Sequence, residues 1–385
     1  MQIRNINIII LFLIGIMTSC EEPFDPQLKP SEQRLLVVDG MISNEAPPYV
    51  VQLSYSSDLK DPRFIPATEF QVWVQDDQGE IIPFIQSSPG TYTSAADGPA
   101  GIPGRTYQLM LQSYDGRQYV SAPETLPLPV AIQSVDYMVE TIEPNNLPYS
   151  MTGLQFYLTT GQAPADSSYF VWQLTETYKY QADFKLNYLY SGGLHLVFNP
   201  DSLRTCYTTQ LVEELFLFDA SQQSVPQAVN FPLNFVSTET RALTYRYSLL
   251  ARQFSITATA FDFYRLVREQ NSSASALFTR QPFQIKGNIT SVDDADETVL
   301  GLFMAASVTE KRVFVTPPFQ YLEWHYPLCD FYDYDAYKFI WTYTSEAWPL
   351  MVTRGPDGLA LPSTWCIDCR QQGGTLEKPD FWVDN

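Results

Sequence analysis

From residue 35 onward the chain is written in short runs where apolar and polar residues alternate, broken by glycine, proline and aspartate. A period of two puts alternate side chains on one face of an extended strand. The pattern predicts strands at 35–38, 50–55, 70–74, 81–85, 90–93, 106–111 and 118–120. Leu35-Leu36-Val37-Val38 is continuous rather than alternating, which suits a strand buried on both faces. Asp115-Gly116 between the last two runs is a type I′ hairpin signal. Short strands at this spacing predict an immunoglobulin-like β-sandwich over 35–125. The Cys-Trp-Cys core of true immunoglobulins is missing, so the match is to architecture only.

Pro123, Pro127 and Pro129 close this unit, and a larger β-rich domain is expected over 131–385. Its strand candidates are 154–158, 168–175, 215–218, 241–250, 283–289, 299–303 and 312–315. One segment, 255–270, breaks the alternation. Ile256, Ala260, Phe263, Tyr264 and Val267 fall on one face of an α-helix, and Ser255 is placed to cap it. From Pro317 the chain is aromatic, proline-rich and irregular. The expected fold class is mainly β: an N-terminal immunoglobulin-like sandwich followed by a larger β-rich domain with at least one packed α-helix.

The N-terminus follows a different rule. Arg4 is followed by an apolar run from Ile8 to Met17, the length of a signal-peptide core and too short to anchor a chain by itself. Met17-Thr18-Ser19-Cys20 resembles a bacterial lipobox, in which cleavage precedes the cysteine and its thiol takes a diacylglycerol. Residues 1–19 therefore read as a lipoprotein signal peptide, Cys20 as the lipidated residue, and 20–34 as a proline-stiffened tether. Glu21-Glu22 directly after the cysteine resembles a surface-export signal of Bacteroidota lipoproteins.

Charge narrows the function. Lys plus Arg number 23 against 43 Asp plus Glu, so clusters that would grip a phosphate backbone are lacking and no nucleic-acid partner is expected. The net charge of −20 reads mainly as solubility. His195 and His325 are the only histidines, which leaves little for histidine chemistry, and no cofactor is expected. Apart from Cys20, the cysteines are Cys206, Cys329, Cys366 and Cys369. An exported chain permits disulfides, and four cysteines allow three connectivities. The pairing taken here joins Cys366 to Cys369 and Cys206 to Cys329. Asp293, Asp294, Asp296 and Glu297 form an acidic run that could hold Ca²⁺ but lacks the EF-hand register, so a solvated turn is favoured. Asp201-Ser202-Leu203 resembles a short O-glycosylation signal, with Ser202 as acceptor. Trp324, Tyr326, Tyr332, Tyr334 and Trp341 stand in the aromatic-rich C-terminal region and are the candidate ligand or partner contacts.

Several strings together resemble one family. They include Leu36-Val37-Val38-Asp39-Gly40, Gly104-Arg105-Thr106-Tyr107, Arg246-Tyr247-Ser248-Leu249-Leu250, Gly287-Asn288-Ile289 and Cys366-Ile367-Asp368-Cys369. The chain resembles the Bacteroidota outer-membrane lipoproteins of domain-of-unknown-function family 4249. The resemblance implies a lipid-anchored protein exposed at the cell surface, non-enzymatic, acting as accessory or ligand-binding partner of a TonB-dependent receptor. It carries no catalytic motif onto these residues. The alternatives are a surface-anchored hydrolase of glycans or peptides, and an adhesin.

Overall fold

The computed structural model describes residues 34–57, 63–144, 148–164, 167–273, 284–316, 322–329, 337–356 and 358–384. Its first third forms β1 (Leu36–Ser43), β2 (Val50–Tyr55), β3 (Ile65–Pro66), β4 (Phe70–Asp76), β5 (Ile81–Ser88), β6 (Thr91–Ser94), β7 (Thr106–Ser113), β8 (Gln118–Ser121) and β9 (Glu124–Thr125). Alternation decides which side chains go inward. Tyr107, Leu109 and Leu111 of β7 meet Val72 and Val74 of β4 and Val51 and Leu53 of β2 in one core. The β7–β8 hairpin forms where Asp115-Gly116 predicts it. Its turn is not type I′, because Gly116 has a φ of +93° while Asp115 stays at negative φ. The three-residue loop instead ends on a left-handed glycine, as in a G1 bulge.

The remaining elements are β10 (Ile132–Ile142), β11 (Met151–Thr160), β12 (Tyr169–Gln181), β13 (Tyr188–Tyr190), β14 (Leu194–Leu196), β15 (Thr205–Leu211), β16 (Phe216–Asp219), β17 (Phe231–Ser237) and β18 (Arg246–Ile256), then α1 (Ala258–Ser273), β19 (Ile289–Ser291), β20 (Leu300–Val315), β21 (Leu350–Gly355) and β22 (Gly358–Ala360). Three layers follow. The sheet β10-β11-β17 packs on one face of β15-β12-β18-β20 through Phe156, Trp172, Tyr247 and Leu249. Helix α1 covers the opposite face, where Ala260 and Phe261 meet Phe254, Ile256 and Val308. A small sheet, β14-β13-β21-β22, lies apart. Ser255 does not cap the helix, because it is still inside β18. Thr257 does so, its Oγ1 accepting from the Ala260 N–H at 3.3 Å. The helix runs three residues past its expected end, to Ser273.

The runs at 299–303 and 312–315 are two ends of one strand. Residues 300–306 of β20 pair parallel with β1, and residues 307–315 pair antiparallel with β18. Small side chains (Ala305, Ala306, Ser307) fill the middle, so the alternation that marks a strand is weak there. Gly301 lies close beside β1 with a φ of +93°, and a Cβ there would fall 1.9 Å from the Val38 carbonyl oxygen. The sheet thus crosses the prolines at 123–129: β19 pairs with β8 and β20 with β1. Of the expected strand at 283–289, Phe283 lies outside the described residues and, of the rest, only Ile289 enters β19; the strand expected from Arg241 begins at Arg246.

Glu124 sits where these parts meet and is 2% exposed. Its carboxylate accepts from the Thr257 hydroxyl at 2.6 Å and from Asn288 Nδ2 at 3.0 Å. The Asn288 amide also exchanges two hydrogen bonds with the Phe303 backbone, at 2.7 and 3.0 Å. One carboxylate therefore ties β9, the cap of α1, and the approach to β19 and β20. Burial pushes the Glu124 carboxyl above its ordinary value, and the two donors offset part of that rise.

A raised carboxyl pKa means the unfolded chain ionises first as pH rises, so Glu124 disfavours folding progressively from about pH 4.5 upward. Glu124→Gln should flatten that part of the stability–pH curve between mildly acidic and neutral pH. Glu124→Ala should cost about 1–3 kcal/mol by stranding two donors. Urea titrations across this range read both effects; an unchanged pH slope in Glu124→Gln contradicts them.

Candidate functional site

Strand β12 ends at Gln181, beyond the rows that pack in the core. Tyr178 and Tyr180, two apart, share one face. Tyr180 lies opposite Cys206 of β15. Cys206 is bonded to Cys369, with 5.7 Å between Cα atoms, and Cys329 to Cys366, with 5.8 Å. This corrects the expected pairing: Cys366 and Cys369 bond elsewhere, as do Cys206 and Cys329. The Cys-x-x-Cys spacing points its two sulfurs to different neighbours because Thr364–Cys366 and Cys369–Gln372 are separate 3₁₀ turns. The two bonds tie β15, the 322–329 segment and the 363–375 segment into one cluster. The Tyr180 hydroxyl adds to it, donating to the Cys369 carbonyl at 2.7 Å, and Tyr207 and Thr375 exchange two backbone bonds, at 2.8 and 2.9 Å.

Arg241 stands at the centre. Nη1 and Nη2 donate to the two Asp183 oxygens at 2.7 Å each, a bidentate fork. Nη2 also reaches the Pro327 carbonyl at 3.0 Å and Nη1 the Gln181 carbonyl at 3.1 Å. Asp183 accepts the Cys329 N–H at 2.9 Å, so the ion pair positions the chain next to a disulfide. The guanidinium lies 4.8 Å from the centroid of the Tyr326 ring. Burial alone would lower the Arg241 pKa, but Asp183 outweighs it and holds the value above the ordinary one. Burial pushes the Tyr326 hydroxyl up, with Arg241 opposing, so it stays protonated and able to donate.

Around this pair is a cleft of two lobes. One holds about 300 Å³ and is walled by Tyr178, Tyr180, Trp365, Gln372 and Glu239. The other holds about 350 Å³ and is walled by Gln181, Arg204, Thr244, Tyr245 and Trp324. Arg241 and Tyr326 belong to both. Each lobe reaches the lower end of the size range of small-ligand sites. The charged groups are largely committed: Asp183 to Arg241, Arg204 to Asp201, and Glu239 to the Tyr149 hydroxyl at 2.7 Å.

Of the residues singled out in sequence, Trp324 and Tyr326 line this cleft, with ring centroids 5.7 Å apart. Trp341 is exposed, donates to the Lys338 carbonyl, and lines neither lobe. Tyr332, Tyr334 and Cys20 lie outside the described residues. Asp293, Asp294 and Glu297 accept from Gln118 N–H, Asp296 N–H and the Tyr119 hydroxyl, so the acidic run closes a turn against β8. Among the described residues no three His, Cys, Asp or Glu side chains gather as a metal site. Ser202 sits in an exposed turn. His195 is exposed in β14, and His325 stacks on Tyr149 at 4.6 Å. Sequence reasoning missed Arg241, Asp183 and Trp365. Arg241 was read as the start of a strand, and its partner is 58 positions away.

The comparison with family models matches residues 21–312 to the family described as "Domain of unknown function (DUF4249)". The match covers most of the chain, and the chain belongs to that family. It stops short of Cys329, Cys366 and the tryptophans that complete the cleft. A search of curated proteins finds no match.

Non-reducing peptide mapping should recover Cys206–Cys369 and Cys329–Cys366; a Cys366–Cys369 peptide would contradict the arrangement. Asp183→Ala should destabilise by about 2–4 kcal/mol, because it leaves Arg241 without its counter-charge in a mostly buried setting. Removing Arg241 as well should cost little more. Denaturant midpoints check both values, and a loss under about 0.5 kcal/mol in Asp183→Ala would contradict the clamp.

Proposed function

We propose that this family member is a lipid-anchored protein of the outer membrane, exposed at the cell surface. It acts without catalysis, as accessory or ligand-binding partner of a TonB-dependent receptor. The observation that carries the reading is the division of the five cysteines. Four are paired in two disulfides. Disulfides persist in oxidising compartments, which supports export. The fifth, Cys20, ends the signal-like segment and is the cysteine left for lipid. Glu21-Glu22 after it supports surface exposure, and the family resemblance supports the receptor as partner.

The cleft supports the non-catalytic part. Asp183 is held by Arg241 and the Cys329 N–H, and Glu239 by the Tyr149 hydroxyl, which favours a rigid wall over a proton-transfer pair. Among the described residues no helix is long and apolar enough to cross a membrane, so the lipid would supply the anchor.

The test is to label growing cells with an alkyne fatty acid and recover the protein in mild detergent. The mature N-terminal peptide should begin at a diacylglycerol-modified Cys20. Cys20→Ser should abolish labelling and surface accessibility to an added protease. The gentle pull-down should contain a TonB-dependent receptor. An unmodified Cys20, or a pull-down without such a receptor, overturns the corresponding half of the proposal.

A further inference from the structure

The geometry points to an uncharged oligosaccharide, spanning at least two sugar rings, as the ligand of the cleft astride Arg241 and Tyr326. The assignment rests on reading this cleft as the ligand site but not on the receptor pairing. Three features converge. First, the walls combine exposed ring surface with neutral hydrogen-bonding groups. Trp324 is 42% exposed and Tyr245 40% exposed, and Trp365 and Tyr326 are half-buried. Flat rings of this kind offer an apolar face to the C–H face of a pyranose, although one face of Tyr326 is already covered by the Arg241 guanidinium. Gln181, Gln372 and Thr244 stand among them; each already makes a hydrogen bond within the protein, and their remaining amide hydrogens and lone pairs are left for a ligand's hydroxyls.

Second, the central charges are paired inside the protein. A phosphate or carboxylate ligand requires an unspent cation. Arg241 is held bidentate by Asp183, and Arg204 pairs with Asp201 at 3.4 Å. A cationic ligand would find Asp183 already taken by Arg241, whereas Glu239 keeps its charge behind a hydrogen bond from the Tyr149 hydroxyl. A neutral polyhydroxylated molecule gains hydrogen bonds here without breaking these pairs.

Third, the cleft is double and stiff. Its lobes of about 300 and 350 Å³ share Arg241 and Tyr326, so a ligand filling both must continue past that pair. A chain of linked rings does so with one ring on each side. Two disulfides, the arginine fork and the Tyr180 hydroxyl fix the walls before binding. Neutral sugars bind through many weak contacts, and preorganised walls lower the entropic cost of collecting them.

The test uses the full mature chain in detergent micelles, titrated by calorimetry with maltohexaose, cellohexaose, xylohexaose, mannohexaose and chitohexaose. An acidic oligogalacturonate and a casein peptide digest serve as opposing probes. At least one neutral hexasaccharide should bind. Trp324→Ala and Tyr326→Ala should each weaken it about tenfold, equivalent to about 1.4 kcal/mol. Tyr326→Phe should keep most of the affinity, and the remote Trp341→Ala should leave it unchanged. Intact disulfides and an unaltered circular dichroism spectrum confirm that the variants fold. Absence of binding by every neutral hexasaccharide at about 10 mM overturns the proposal. So does binding that ignores Trp324 and Tyr326, or binding confined to the acidic sugar or the peptides. Sugar binding lost with the receptor still co-purifying would remove the ligand class alone; the reverse would remove the receptor alone.

Discussion

Every buried backbone N–H and C=O needs a partner, and in this protein one strand supplies partners to two ladders of one sheet whose strands are far apart in sequence. The first half of β20 completes the N-terminal ladder beside β1, and its second half continues the ladder of β18 and β12. At the changeover β1 has ended, and the Asn44 side chain takes over its role. It accepts from the Val308 N–H at 2.6 Å and donates to the Val308 carbonyl at 3.3 Å, across 264 positions of sequence. The segment that follows β9 is held at the same seam. Ser307 and Thr309 donate to the Pro127 and Val130 carbonyls at 2.5 and 2.8 Å, and Gln253 donates to Val130 at 2.6 Å. Gln253 is fully buried, and its other end accepts from Trp172 Nε1 at 2.9 Å. The two cores are therefore separate in their side chains and continuous in their hydrogen bonds.

The cleft inherits its position from that ladder. Tyr178 of β12 lies opposite Tyr247 of β18, and Tyr247 lies opposite Val315 of β20. Where these strands end together, the chain leaves β12 through Gln181 and enters β18 from Thr244 and Tyr245. Gln181 and Arg241 are brought side by side by register, although 60 positions separate them. The Tyr245 hydroxyl closes the contact on Gln181 Oε1 at 2.8 Å. A shift of register by one residue would turn Tyr178 and Tyr180 to the opposite face and dismantle one lobe.

What could be read from the sequence was local. Alternation located the β7–β8 hairpin and most of the N-terminal strands, and the helical period located α1. What could not be read depends on partners far along the chain. β20 looked like two strands because its middle residues are small and carry little alternation. Ser255 looked like a helix cap because the strand before it ends without a turn residue. The cysteines could be counted as paired, but their connectivity was set by two 3₁₀ turns that leave no periodic trace. Trp324 and Tyr326 were singled out as aromatics of the C-terminal region, and both line the cleft. Arg241 and Asp183 were missed because a bidentate pair between two loops has no signature in either one.

The same reasoning explains why the disulfides and the cleft occur together. The segments at 322–329 and 363–375 contain no strand and only short 3₁₀ turns. Chain of that kind does not hold side chains in fixed positions unless other ties remove its conformational freedom, at about 1–2 kcal/mol per residue. Here the ties are two sulfur bonds, the Asp183–Arg241 fork, and the Thr152 and Thr238 contacts to the Glu323 backbone. Thiol pairing needs an oxidising compartment. The walls of the cleft are therefore completed only where the chain can be oxidised.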